Sequence, residues 1–201
     1  MTPFAMFDLI GTAAFAYSGY LVGTRRGLDL IGIFIVAMLT ATAGGAISDV
    51  LLGQTPAVLT NRTAFFLVLA VVALGAVLTR AGVAPQEDRW PFITADAVGL
   101  VAFSFAGAHK GIEADMMYFG TAVIAFVTAV GGGILRDTLV NEVPVVLHSG
   151  FYGVIALLAG SLLWVTDVMG WGLSETHWVI FVFCIALRLL AVWRRWSLPK
   201  I

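Results

Sequence analysis

Residues 130–137 read VGGGILRD and lie inside an apolar stretch about as long as a membrane-spanning helix. Each glycine costs roughly 1 kcal/mol relative to alanine in a helix interior, so three in a row are unusual there. Arg136 and Asp137 follow at once, and such side chains are among the most expensive to hold in hydrocarbon. A membrane protein keeps such a stretch for close helix packing, for a break in the helix, or for a path through the bilayer.

An altered copy of this stretch, TAGGAISD, occupies residues 42–49. Gly131 then aligns with Ala43, an offset of 88 residues, and the same offset aligns many other special residues without a gap. The aligned pairs include Asp8 with Asp96, Gly11 with Gly99, Phe15 with Phe103, Gly19 with Gly107, Thr40 with Thr128, Asp49 with Asp137, and Pro56 with Pro144. We interpret this register as an internal duplication.

Composition indicates an integral membrane protein. The 201 residues are 60% hydrophobic and only 11% charged, whereas soluble domains carry about 25% charged residues. A net charge of −1 gives no reason to expect nucleic-acid binding. We expect neither a catalytic site nor a cofactor, because no nucleophile–base pair or phosphate loop is recognisable. The three histidines, which do not cluster, predict no metal site.

Seven apolar segments are long enough to cross a bilayer, which predicts one all-α membrane domain over residues 1–201. The segments are 4–22, 30–52, 64–82, 92–108, 117–140, 149–168 and 178–196. Repeat one covers about 4–82, repeat two about 92–168, and the helix at about 178–196 is an addition. Most Lys and Arg residues fall on one side if the N-terminus is outside and the C-terminus is cytoplasmic, so we expect that orientation.

Each repeat holds three spans, so the second repeat must enter the membrane from the opposite side. The prediction is a 3+3 inverted-topology repeat with one extra C-terminal helix. Such repeats are characteristic of transport proteins, whose pathway lies at the repeat interface. The alternative is a duplication that only built a stable bundle.

The two glycine stretches predict the lining of a pathway. Thr40, Gly44 and Ser48 share one helix face, and Thr128, Gly132 and Arg136 share the equivalent face of the fifth span. Hydroxyls and carbonyls freed by a helix break would suit a cation. The candidate pathway residues are Thr40, Gly44, Gly45, Ser48, Asp49, Thr128, Gly131, Gly132, Gly133, Arg136 and Asp137. Tight packing of small residues between the two helices is the alternative.

Topology places two carboxylates at each mouth. Asp8 and Asp49 are expected at the outer face, where they would concentrate cations, and Asp96 and Asp137 at the inner face. We expect Arg136 to pair with Asp96 or Asp137. Helix N-terminal capping is the alternative role for Asp8 and Asp96.

Two further charged residues lie near the predicted helix ends. Lys110 is interpreted as a side chain that snorkels towards the interface, and a mobile positive gate is the alternative. Glu142, just past the fifth span, is expected at the inner vestibule.

The glycine clusters, together with Arg136, Asp137 and Asp49, resemble those of the trimeric intracellular cation (TRIC) channel family. The chain is also similar to related two-repeat bacterial membrane proteins of the UPF0126 type, some of which have been proposed as glycine transporters. The resemblance covers essentially the whole chain. It departs from the pattern in the first cluster, where Ser48 stands at the position of Arg136.

The resemblance implies a homotrimer with one pore in each protomer and the second and fifth spans bent at their glycines. It also implies passive conduction of monovalent cations, mainly potassium. We therefore expect a bacterial inner-membrane channel whose partners are its own copies, membrane lipid and permeant potassium or sodium. A carrier of a small solute such as glycine is the alternative.

Overall fold

Nine helices and no strand make up the part of the chain that the computed structural model describes, residues 3–82, 89–148, 151–171 and 174–196. They are α1 (Pro3–Arg25), α2 (Leu30–Leu51), α3 (Ala57–Thr60), α4 (Thr63–Arg80), α5 (Trp90–Glu113), α6 (Tyr118–Leu139), α7 (Val145–His148), α8 (Tyr152–Val168) and α9 (Ser174–Trp193). The all-helical fold class is as predicted. The short helices α3 and α7 were expected to be plain connections.

Six of these helices are long and apolar enough to cross a membrane: α1, α2, α4, α5, α6 and α9. The seventh, α8, is apolar but has 17 residues, at the lower end of the spanning range. Large apolar side chains cover the outside of the bundle, such as Ile31 at 70% and Phe66 at 58% exposure. Such faces suit contact with lipid.

The helix α5 lies at the centre of the bundle, and most of its residues from Ala95 to Ala108 are buried. It packs against α1 on one side and α6 on the other, while α2 crosses α6. The helix α4 covers α1 and α2, and α8 covers α5 and α6. The added helix α9 packs on α8 and α5.

Contacts between helices occur in equivalent pairs, in which each residue of one contact is replaced in the other by the residue 88 positions away. A Cβ on Gly44 would lie 2.1 Å from the carbonyl oxygen of Thr128, and a Cβ on Gly132 would lie 2.1 Å from that of Thr40. These four residues, which we call the glycine crossing, join α2 to α6 by backbone contact. In the same way, Gly11 faces Phe103 and Gly99 faces Phe15.

The glycines do not interrupt either helix. Both α2 and α6 continue as helix through Gly44–Gly45 and Gly131–Gly133, while the predicted bend at the glycines stays a prediction. The hydroxyls of Thr40 and Thr128 donate to the carbonyls of Val36 and Ile124, at 2.6 and 2.7 Å. The glycines instead allow two backbones to touch, and that packing offsets their poor helix propensity.

Candidate functional site

A cavity of about 220 Å³ opens at the end of the bundle where α2 and α5 terminate. Its wall combines small apolar residues with polar and charged ones, of which the latter include Asp8, Thr12, Thr42, Asp49, Asn61 and Lys110, and Gly45 also lines it. We call it the outer cavity, following the predicted orientation. Asp8 lies in the second turn of α1, inside the helix, so the predicted capping role for Asp8 is wrong.

Lys110 reaches across the outer cavity rather than out of it. Its ammonium group forms an ion pair with Asp49 Oδ1 and donates a hydrogen bond to Ser48 Oγ at 3.2 Å. The lysine side chain is 25% exposed and the aspartate 4%. The predicted snorkelling is therefore wrong, because an almost buried carboxylate attracts the ammonium group more than the interface does.

Asp49 and Asp137 also share a role that the sequence did not reveal. Oδ2 of Asp49 accepts a hydrogen bond from the backbone N–H of Ala57 at 2.8 Å, and Oδ2 of Asp137 accepts one from Val145 at 2.9 Å. Each aspartate thereby fixes the start of a short helix, α3 or α7. The signal was present, since in both repeats the aspartate precedes a proline by seven residues.

The inner end holds a fully buried arginine. Arg136 is 0% exposed, and its Nη1 donates to Asp96 Oδ1 at 2.7 Å while its Nε donates to Asp137 Oδ1 at 2.8 Å. Nη1 also donates to Ser18 Oγ at 2.8 Å, and the Phe92 ring lies 4.8 Å from the guanidinium carbon. The predicted pairing is confirmed, with both aspartates bound at once. Asp96 lies inside α5, not at its start, so the capping role predicted for it is wrong.

A second cavity, of about 650 Å³, lies beside this cluster. Asp96, Glu142, Phe92 and Val145 contribute to its wall, together with Arg25, Arg89, His148, Arg188, Arg195 and Trp196. We call it the inner cavity. Glu142 thus lies where the sequence predicted a vestibule, and it also forms an exposed ion pair with Arg26.

The two cavities lie at opposite ends of the bundle. Lys110 lines one and Asp96 the other, and these residues of α5 are 14 positions apart, or about 21 Å along the helix axis. The glycine crossing lies in the helix contact, and its four residues line neither cavity in the described part of the chain. Of the predicted pathway residues, only Gly45 and Asp49 line the outer cavity.

The remaining glycines of the second stretch have different neighbours. A Cβ on Gly131 would meet the Cα of Gly44 at 3.1 Å, so Gly131 extends the crossing. Gly133 faces the Tyr152 hydroxyl and Arg136 instead. Tyr152 and Arg188 were not predicted as site residues, although the Arg188 guanidinium carbon lies 4.8 Å from the Tyr152 ring. Tyr152 aligns with Ala64, and Arg188 lies in the added helix, outside both repeats.

Comparison with known proteins agrees with this architecture. A family model described as "Glycine transporter" matches residues 5–81 and 93–167. A UPF0126 membrane protein of Vibrio cholerae is 34% identical, with 96% of this chain and 81% of the relative aligned. The UPF0126 membrane protein YvgT of Bacillus subtilis is 31% identical, with 97% and 95% aligned.

Solved structures give the same answer. A prokaryotic TRIC channel crystallised in 0.5 M KCl superposes with a TM-score of 0.87 at 30% identity, covering 97% of this chain and 98% of that one. The TRIC orthologue from Rhodobacter sphaeroides gives 0.87 at 28% identity, covering 96% and 99%. With its two matched stretches and its full-length relatives, the chain belongs to the glycine transporter family of UPF0126 membrane proteins and has the fold of prokaryotic TRIC channels.

Proposed function

We propose that this protein is a passive channel for monovalent cations, with a pathway inside each protomer. The observation that carries the proposal is the outer cavity, bordered by the buried Asp49 and the exposed Asp8, with a second cavity at the opposite end of α5. Carboxylates at a narrow entrance attract cations and raise their local concentration. The similarity in fold to TRIC cation channels supports this reading over a purely structural bundle.

The pathway runs along the interface between two inverted repeats of three spans, with α9 as a seventh, added span. The reciprocal contacts at the glycine crossing support this arrangement, because a two-fold relation exchanges residue n with residue n + 88 on both sides of a contact. The family model supports it too, since its two matches begin 88 residues apart.

Two tethered cations close the pathway in the present conformation. At the outer end, the Lys110 ammonium group occupies a position between Asp49 and Ser48 that would suit a permeant cation. At the inner end, the Arg136 guanidinium pairs with both Asp96 and Asp137. Conduction then requires Lys110 to leave Asp49 and the Arg136 cluster to rearrange, so that hydroxyl and carboxylate oxygens become available to the ion.

Recordings from purified protein in planar bilayers test the proposal. We expect ohmic single-channel steps in potassium chloride and a smaller conductance for Asp8→Asn, because Asp8 lines the outer cavity. Asp115→Asn is the matched control, since this exposed aspartate lies just beyond the end of α5 and outside that cavity. The difference in conductance between the wild type and Asp8→Asn should shrink at high salt, where the charge of Asp8 is screened. Absence of any current from an intact oligomer would reject the channel.

Selectivity and assembly form the finer part of the proposal. We expect potassium to be preferred over sodium, which reversal potentials in bi-ionic solutions measure directly. We also expect a homotrimer in the bacterial inner membrane, with the N-terminus outside. Crosslinking in native membranes would contradict the trimer if it stopped at dimers.

A glycine carrier is the second candidate, and the description of the family model favours it. The two separate cavities also suit alternating access, in which one end opens at a time. A zwitterion site of the expected kind, however, needs the amide end of a broken helix, and α2 and α6 are continuous. Counterflow of labelled glycine into liposomes, without current, would establish the carrier instead.

A further inference from the structure

The buried arginine has hydrogen-bonding capacity that its protein partners do not use. Nε and Nη1 of Arg136 contact Asp96, Asp137 and Ser18, but Nη2 has no hydrogen-bond acceptor among the described residues. A guanidinium nitrogen of this kind carries two N–H donors. Because Arg136 is 0% exposed, bulk solvent does not reach these donors.

A second buried donor faces the same place. The hydroxyl of Tyr152, a residue 2% exposed, likewise has no partner in hydrogen-bond geometry among the described residues. A Cβ built on Gly133 would lie 3.3 Å from the Tyr152 hydroxyl and 3.8 Å from Arg136 Nη2, so the absent side chain leaves space beside both donors. Among the described residues, apart from the two chain neighbours and the local helix backbone, no other atom approaches that Cβ position within 4 Å.

We propose that Gly133, Arg136 and Tyr152 form a binding site for one water molecule that accepts hydrogen bonds from Arg136 Nη2 and the Tyr152 hydroxyl. Leaving buried donors unsatisfied costs about 1–3 kcal/mol each, so a site of this composition favours an acceptor strongly. Buried water typically makes two to four hydrogen bonds to such groups.

Charge decides between water and an anion. Arg136 and Arg188 supply two positive charges near the site, and Asp96 and Asp137 supply two negative charges. An added chloride would leave one uncompensated negative charge in a buried place, which is far more costly than a neutral ligand. Access comes from the inner cavity, because Asp96 both lines that cavity and contacts Arg136.

The site gives Gly133 a purpose different from that of its neighbours. At Gly132 a side chain would collide with the backbone of α2, and at Gly131 it would make a tight contact with that backbone. Gly133 meets no backbone of another helix in the described part of the chain, so the space beside it is left for the ligand.

The test is a crystal structure of the wild type and of Gly133→Ala at a resolution that shows ordered water. We expect a peak within 2.7–3.2 Å of both donors in the wild type and its loss in Gly133→Ala, whose methyl group would crowd a water molecule in contact with both donors. Gly45→Ala is the control, because a Cβ there has only the Lys110 ammonium group as a neighbour, at 4.0 Å. Gly133→Ala should melt several degrees lower than Gly45→Ala.

Two results would overturn the proposal. One is a wild-type map that shows other buried waters but none between Arg136 and Tyr152. The other is an anomalous peak at the site after bromide replaces chloride, which would assign an anion. Tyr152→Phe distinguishes loss of the water from simple crowding by the added methyl group. Tyr152→Phe already removes one donor to the water, so Gly133→Ala should destabilise this variant less than it destabilises the wild type.

Discussion

At the scale of single residues, Asp49 and Asp137 each serve two partners at once. One carboxylate oxygen contacts a cationic side chain, and the other fixes the first turn of a short helix. The cations differ, however. Asp49 holds Lys110 from α5, and Asp137 holds Arg136 from its own helix. The carboxylates therefore follow the duplication, whereas the cations do not.

Lys110→Gln should make the channel open more readily. Removing the ammonium group leaves Asp49 available to a permeant cation. If the closed state loses about 1 kcal/mol of stability relative to the open state, the ratio of open to closed channels rises roughly fivefold. Single-channel recordings measure this change. Arg62→Gln, which removes an exposed positive charge at the start of α4, is the matched control. Equal open probability in both variants would contradict a gating role for Lys110.

Arg136→Ala should destabilise the protein by about 3–5 kcal/mol, because two buried carboxylates lose their counter-charge. Arg26→Ala breaks an ion pair whose side chains are 43% and 51% exposed, and such pairs contribute about 0–1 kcal/mol. Unfolding in detergent, followed by circular dichroism, compares the two. A similar loss for both variants would mean that Arg136 does not stabilise Asp96 and Asp137.

At the scale of elements, the glycine crossing sets how closely α2 and α6 approach. Gly44 and Gly45 are neighbours in sequence but differ in surroundings: one touches the backbone of α6 and the other borders the outer cavity. Alanine substitutions at these two neighbouring positions therefore compare a site of backbone contact with an open site in the same helix turn.

Gly44→Ala should be strongly destabilising, since its Cβ would lie 2.1 Å from a backbone oxygen and the helices would have to move apart. Overpacking of this kind costs about 1–3 kcal/mol or more. Gly45→Ala should be close to neutral, because the space there is open. Melting temperatures in detergent give the order, and equal values would show that the crossing tolerates separation.

Sequence reasoning predicted this element only in part. The length of the apolar segments predicted the helices, and the offset of 88 residues identified both faces of the crossing. The continuity of both helices through the glycines could not be predicted, because glycine propensity is a local quantity and the backbone contact that compensates it comes from a distant segment. Lys110 was misread for a related reason: its aligned residue is Val22, so the repeat marked no partner for it.

At the scale of the whole molecule, charge asymmetry predicts orientation. Two residues on opposite sides test it: Arg62 before α4 and Arg80 at its end. With the buried Cys184 replaced by alanine, Arg62→Cys should react with a membrane-impermeant maleimide in intact cells. Arg80→Cys should react only after permeabilisation. The reverse pattern would place the N-terminus inside.

The glycine crossing has a mechanical consequence. Two helices that meet mainly through backbone atoms have few interlocking side chains at the point of contact, so tilting one against the other there disturbs less packing than at a side-chain seam. We expect the contact to act as a pivot, at which a small tilt of α2 on α6 would widen one end of the bundle and narrow the other. Because the residues at this contact are related by the 88-residue offset, tilting in either direction would bring equivalent residues of α2 and α6 together.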